Sequence, residues 1–477
     1  MPSEREKGST PMPLTSQEKL IHQLRGIVGF DTSGGITLEN ADKFRSESID
    51  ALIKNAVLSE SNDVRGLARH IIKSVAQELG IVSSSIQGLY DSRGRGECGG
   101  FTVPAINIRG MSYDFSRAIF RTAHAISAGA FIFEIAKSEI GYTRQSPHEM
   151  IAVVLAAAIR ENHTGPVFIQ GDHFQVNAKK FAQNQKKEID GVKDLIRRGI
   201  EAGFYNIDID TSTLVDLSKP TVVEQQRANF EVGVELTKHI RELEPEGVTI
   251  SVGGEIGEVG KENSNEEELR VYLDNFNDYL EKTSKGARTI SKISIQTGTS
   301  HGGVPGPDGK VVQVKLDFDC LENLSRISRT DYGLAGAVQH GASTLPRELF
   351  NRFPKLETAE IHLATDFQNT IYDHQEFPSD FKEEIYTHLR KKFTAEKKEG
   401  DTDEQFIYKT RKKGFGEFKP RFWDLPAGVR TKIGTELEGK VKFLFDQLKV
   451  ANTVDIVEKN VQPVKKHLDL AAEIASA

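Results

Sequence analysis

Cysteine is almost absent from this chain. Two residues, Cys98 and Cys320, among 477 cannot build a disulfide framework, so a reducing compartment is expected. Long apolar runs are missing as well. The longest, residues 150–159, falls well short of the ~20 residues that span a bilayer, and no membrane partner is expected. Residues 1–14 are polar and charged, without the apolar stretch of a secretory signal; a cytoplasmic location follows as the expectation. Nor is there an excess of positive charge. Lys and Arg number 62 against 69 Asp and Glu, a net charge of −7, which argues against a dedicated nucleic-acid binder. What remains is an ordinary globular composition, 38% hydrophobic and 27% charged, too apolar for a disordered chain.

Residues 1–95 read as an N-terminal helical extension, with apolar residues at three- and four-residue spacing over 49–58 and 64–79. A formal GxGxxG follows at Gly94, Gly96 and Gly99. A dinucleotide fingerprint must follow a strand and open a helix; here the order is reversed, and the segment reads as a loop. From residue 101 the pattern changes. Short β-branched runs at 101–106, 131–135, 167–169, 205–209, 248–252, 293–295, 335–338 and 359–363 alternate with stretches of helical periodicity. Such alternation predicts an α/β fold with a parallel sheet covered by helices. Eight units over residues 96–375 match a (β/α)8 TIM barrel carrying the active site; a doubly wound sheet is the alternative, because periodicity does not show closure.

Residues 376–477 read as a C-terminal helical region, with helical patterns at 379–393, 430–448 and 454–474. Between the first two lies a charged stretch, 390–421, with basic clusters at 390–392 and 411–413 and interspersed acids. It reads as a solvated or subunit-contacting arm.

The C-terminal ends of barrel strands converge on the face that carries active sites in this fold. Strand 3 ends in Asp172-His173, strand 4 in Asp210, strand 5 in Glu255 with Glu262 beyond, strand 6 in His301-Gly302, strand 7 in His340-Gly341 with Ser343, and strand 8 in His362 with Thr365. Three imidazoles from strands 3, 6 and 7 suit a catalytic Zn²⁺ with an open position. Glycine-rich turns after strands 6 and 7, with the Ser343 hydroxyl, expose donors that suit a phosphate.

Several motifs together resemble the class II, zinc-dependent fructose-bisphosphate aldolase family from about residue 103 to 448. They are Val103-Pro104-Ala105-Ile106-Asn107, Asp172-His173, Glu255-Ile256-Gly257 with Glu262 seven residues after Glu255, the turns at 298–302 and 340–343, and Pro420-Arg421-Phe422-Trp423. The resemblance implies a metal-dependent aldolase that reversibly cleaves a ketose bisphosphate, fructose 1,6-bisphosphate first, to dihydroxyacetone phosphate and an aldehyde phosphate. It implies His173, His301 and His340 as ligands of Zn²⁺ or another divalent ion, with Glu255 and Asp210 holding an alternative metal position. Asp172 would exchange the proton of the C4 hydroxyl and Glu262 that of C3. Gly302, Gly341 and Ser343 would hold phosphate and a monovalent cation, and Asn107 and Thr365 would lie on the substrate side. His362 stands where the family has an asparagine, and 363–366 look closer to the tagatose-bisphosphate branch. His362 is therefore expected to tune substrate choice. A tagatose-bisphosphate or other ketose-phosphate aldolase, or a non-catalytic sugar-phosphate-binding barrel, are the alternatives. The expected partners are a small sugar phosphate and further copies of the chain in a homo-oligomer.

Overall fold

Eight parallel strands close on themselves. In a computed structural model that describes residues 13–31, 35–257, 263–298, 304–305, 311–312 and 316–477, they are β1 (Val103–Asn107), β2 (Ile132–Ala136), β3 (Gly165–Gln175), β4 (Asn206–Asp210), β5 (Ser251–Glu255), β6 (Lys292–Ile295), β7 (Ala337–Gln339) and β8 (Glu360–Leu363). Each pairs with the next, and β8 pairs back onto β1 in the register Leu363–Ile106. This is the expected (β/α)8 barrel, with all eight strand positions where periodicity placed them. Closure excludes the doubly wound sheet.

The covering helices follow from local signals. Helix Gln185–Ala202 starts at Asn184, whose side chain accepts from the Lys187 amide, and stops at Gly203 with φ +119°; these are an N-cap and a left-handed C-cap. Its buried residues Ile189, Val192, Leu195, Ile196 and Ile200 form one stripe against the sheet. Helix Pro147–Arg160 is buried on nearly every face, which explains the longest apolar run. It is sandwiched between the barrel's helix Ser112–Ala125 and the extension helices Ile49–Leu58 and Asn62–Glu78. Among the described residues no helix is long and apolar enough to cross a membrane.

The extension is not purely helical, as the periodicity alone suggested. Strand Ile81–Ser84 pairs in parallel with Gly165–Phe168 of β3. Strand β3 pairs with β4 only from Gln170 onward, so its first half would expose an unpaired edge, and the extension covers it. The tail departs in two ways. The 454–474 pattern divides into helices Val454–Asn460 and Leu470–Ala475, because Pro463 lacks the N–H a helix interior requires. The stretch read as a solvated or subunit-contacting arm is not wholly solvated; it folds onto the barrel. Phe406, Phe415 and Arg411 are buried, with Arg411 on Asp373 at 2.7 Å, because the stretch's aromatics form an apolar face that its charge clusters mask in sequence.

Candidate active site

A strand places successive side chains on opposite faces, yet Asp172 and His173 both reach the barrel mouth. The β3–β4 register shifts between Gly171 and Phe174, and His173 takes φ +42°, a left-handed conformation rare outside glycine. The bulge re-aims one side chain. His173 Nδ1 then lies 3.1 Å from Asp210 Oδ2 and 3.4 Å from Glu255 Oε2, while its Nε2 is 3.7 Å from Asp172 Oδ1. The His340 ring stands 4.2 Å from the His173 ring. Ligand atoms of His173, Glu255 and His340 all fall within 4.8 Å of one another.

The electrostatics of this group are one-sided. Among the described residues, neither lysine nor arginine comes within ion-pair distance of Asp172, Asp210 or Glu255. Burial opposes an imidazolium at His173, but Asp172, Asp210 and Glu255 outweigh it and hold the ring charged well above its ordinary range. Burial, followed by Asp210, pushes Glu255 up well above the usual carboxylate range. Buried carboxylates crowded without a fixed cation are costly. Two imidazoles and a carboxylate as donors, surrounded by further acids, fit a divalent ion of the zinc type.

Below that group the barrel interior is charged rather than filled with the usual aliphatic layers. Lys292 of β6 is buried, with Nζ 3.0 Å from Asp208 Oδ1, 2.5 Å from Glu360 Oε1 and 2.8 Å from Gln170 Oε1. Gln170 also donates to Glu134 and Glu360, and the Tyr90 hydroxyl donates to Glu360. Gly253 leaves the room: a Cβ there would lie 2.4 Å from Asp208 Oδ1. Burial, offset in part by His362, pushes Glu134 up to about 8. None of Gln170, Glu134, Lys292 and Glu360 was singled out from sequence. Their signal was a polar residue at alternate positions inside otherwise apolar strands, which marks the barrel's inner face.

His362 belongs to this interior. It is 4% exposed and faces Glu134 at 3.1 Å, Asp172 at 3.3 Å and Glu360 at 2.8 Å. Its ring centroid lies 4.0 Å from that of His340. β8 alternation turns Glu360 and His362 inward together, and His362 also lines the cavity that Gly341 and Ser343 share. Two further donor groups, Asp172–His340–His362 and Glu134–Glu360–His362, have ligand-like spacing. The second already has its cation, the Lys292 ammonium on Glu360.

A cavity of about 500 Å³ opens over these residues. Asn107 Nδ2 donates to Asp172 at 3.0 Å and to Glu139 at 2.9 Å, which fixes the Asp172 carboxylate. Gly341 has φ +67°, and the Ser343 Oγ accepts from the Ala364 amide at 2.6 Å, leaving its own proton free to donate. Thr365 begins helix Thr365–Asp373 and accepts from Arg109 at 3.3 Å. The structure thus brings together Asn107, Asp172, His173, His340, Gly341, Ser343, His362 and Thr365 around one cavity, with Asp210 and Glu255 beneath His173. Glu262, His301 and Gly302 lie outside the described residues.

A family model, "Fructose-bisphosphate aldolase class-II", matches residues 95–415. No curated protein matches the chain in sequence. Among solved structures, a fructuronate-tagaturonate epimerase from Cohnella laeviribosi is 11% identical and covers 91% of each chain at a TM-score of 0.54. The fructose-bisphosphate aldolase of Campylobacter jejuni is 16% identical, covering 78% of this chain and 97% of its own at 0.45. The YdjI aldolase of Escherichia coli K12 is 14% identical, covering 73% and 99% at 0.39. At 11% identity the likeness to the epimerase is one of fold.

Proposed function

The chain belongs to the class II fructose-bisphosphate aldolase family, and from that premise we propose that it is a divalent-metal aldolase cleaving a ketose phosphate reversibly. Fructose 1,6-bisphosphate is the first candidate and tagatose 1,6-bisphosphate the next; the products are dihydroxyacetone phosphate and an aldehyde. One observation carries the reading: three buried carboxylates and two imidazoles meet with no lysine or arginine among them in the described residues, under a cavity that Gly341 and Ser343 also line.

His173 and His340 would hold the ion, with Glu255 and Asp210 beside it; His301 joins them by the family resemblance. A divalent ion there, zinc first, supplies Lewis acidity to the carbonyl end of the ketose. Asp172 takes the proton of the C4 hydroxyl as the C3–C4 bond breaks, and returns it in the reverse direction. Asn107 fixes its orientation. The Gly341–Ser343 turn holds the phosphate of the three-carbon product, with a monovalent cation as a companion. Glu262 exchanges the C3 proton. The protein works as a cytoplasmic homo-oligomer.

The test is a coupled assay of the purified, zinc-loaded chain across ketose bisphosphates, with and without chelator. Chelator-sensitive cleavage of at least one is expected. Saturable binding of sugar phosphates without turnover would replace the reading with a non-catalytic sugar-phosphate-binding barrel.

A further inference from the structure

The N-terminal extension closes the floor of the barrel. Its helix Gln87–Gly94 lies across the mouth at the strands' N-terminal ends, opposite the catalytic cavity. The Ile86 amide donates to Asn206 Oδ1 at 2.8 Å, at the start of β4. The Ser251 amide, at the start of β5, donates to Ser85 Oγ at 3.1 Å. Arg93 Nη1 donates to the Phe101 carbonyl ahead of β1 at 2.6 Å. A Cβ on Gly94 would lie 2.0 Å from the Gly333 carbonyl oxygen, ahead of β7. Contacts at four strand starts hold the helix across the floor.

Tyr90 sits in the middle of that helix and reaches up into the barrel interior. It precedes residues 95–415, the segment shared with the aldolase family. It is 1% exposed, with its ring centroid 5.9 Å from the Lys292 ammonium and its hydroxyl donating to Glu360 Oε2. Among the described residues that oxygen receives no other hydrogen bond. The second oxygen, Oε1, accepts from Lys292 and Gln170 and lies 2.8 Å from His362 Nε2. His362 Nδ1 is in turn 3.3 Å from Asp172 Oδ1. A carboxylate held at both oxygens has one orientation, whereas one held at a single oxygen can turn. A buried oxygen left without its donor is also costly. Loss of the Tyr90 hydroxyl would therefore let Glu360 shift, and with it the imidazole that stands against Asp172.

We propose that the extension takes part in the chemistry of the barrel it closes: Tyr90 is a positioning residue that fixes Glu360 and, through Glu360 and His362, the Asp172 carboxylate. Tyr90 does not line the cavity and acts only through this line of contacts. The inference rests on the aldolase reading of Asp172.

The experiment compares the zinc-loaded parent with Tyr90→Phe, which keeps the ring and removes only the hydroxyl. Tyr113→Phe is the control, because the Tyr113 hydroxyl makes another bond between barrel and extension, to Asp50 at 2.5 Å, away from the interior. Each protein is assayed for cleavage of ketose bisphosphates, and the His362 ring nitrogens are followed by ¹⁵N NMR, assigned with His362→Asn. Tyr90→Phe should lower kcat by about fivefold or more, with KM and zinc content at the parent values, and should move the His362 signal. Tyr113→Phe should match the parent in both. A helix that only plugs the floor would lose urea stability in Tyr90→Phe and leave kcat and the His362 signal alone, and that result overturns the proposal. So does an equal loss in Tyr113→Phe, or a change in only one of kcat and the His362 signal. If no ketose bisphosphate is cleaved by any of the proteins, the aldolase reading fails alone and the NMR arm decides. There, a His362 shift confined to Tyr90→Phe supports the positioning, and an unmoved signal overturns it.

Discussion

His362 Nδ1 lies 3.3 Å from Asp172 Oδ1, so the imidazole at the end of β8 touches the carboxylate proposed to move the C4 proton. Burial opposes its charge, but Glu134, Asp172 and Glu360 outweigh it and keep His362 protonated well above the ordinary imidazole range. An asparagine in its place would supply a hydrogen bond but no charge. His362→Asn should therefore lower kcat by a similar factor, about tenfold or more, on every ketose cleaved, since proton-transfer groups act at that scale. Metal content should stay at the parent level. A change confined to relative substrate preference would assign His362 to substrate choice instead.

Metal analysis checks the donor set directly. The purified chain should hold about one divalent ion per active site, and His173→Ala or His340→Ala should lose it while remaining folded, as expected for an open catalytic zinc site. Full occupancy in both variants would move the ion elsewhere, with the Asp172–His340–His362 group excluded at the same time by its shared His340.

The Lys292 ammonium is the fixed cation of the barrel interior, bound to Asp208 and Glu360. Lys292→Met leaves two buried carboxylates without it. Removing one partner of a buried ion pair costs about 3–5 kcal/mol, so the urea midpoint should fall by an amount of that order. An unchanged midpoint would mean that protonation of Glu360 and Asp208 compensates fully.

Acid stability should be read at the C-terminal helix. Glu473 is buried between Lys73 and His148, the latter at 3.2 Å. Burial works against its anion, but Lys73 and His148 win and lower it from the ordinary 4.5 to about 2. A depressed carboxyl stabilises fully above its unfolded value and loses that contribution as the pH falls toward the folded one. Unfolding stability linked to this group should therefore be level above about pH 5 and decline between about 4.5 and 2. Glu473→Gln leaves Lys73 buried and unpaired, at a cost on the order of 3 kcal/mol at neutral pH, and the gap to the parent should close through that same acid window. A gap that does not change with pH would assign the effect to packing alone.

The helix and strand periods of residues 101–363, and the polar residues at the strand ends, were legible in the amino-acid sequence because both are local. A strand announces itself over five residues, and a barrel brings every strand's C-terminal end to one face whatever the partners are. Asp172, His173, His340, Ser343 and His362 could be placed at one mouth on that ground alone. Which groups touch could not. The bulge that turns His173 beside Asp172 depends on how β3 pairs with β4, and the inward face of His362 depends on β8 closing onto β1. Lys292 meets Glu360 across 68 residues of chain, and Tyr90 meets it across 270. Burial and pairing between residues far apart in sequence leave no period to read. The tertiary structure decided them, through closure of the sheet and the cost of leaving a buried charge alone.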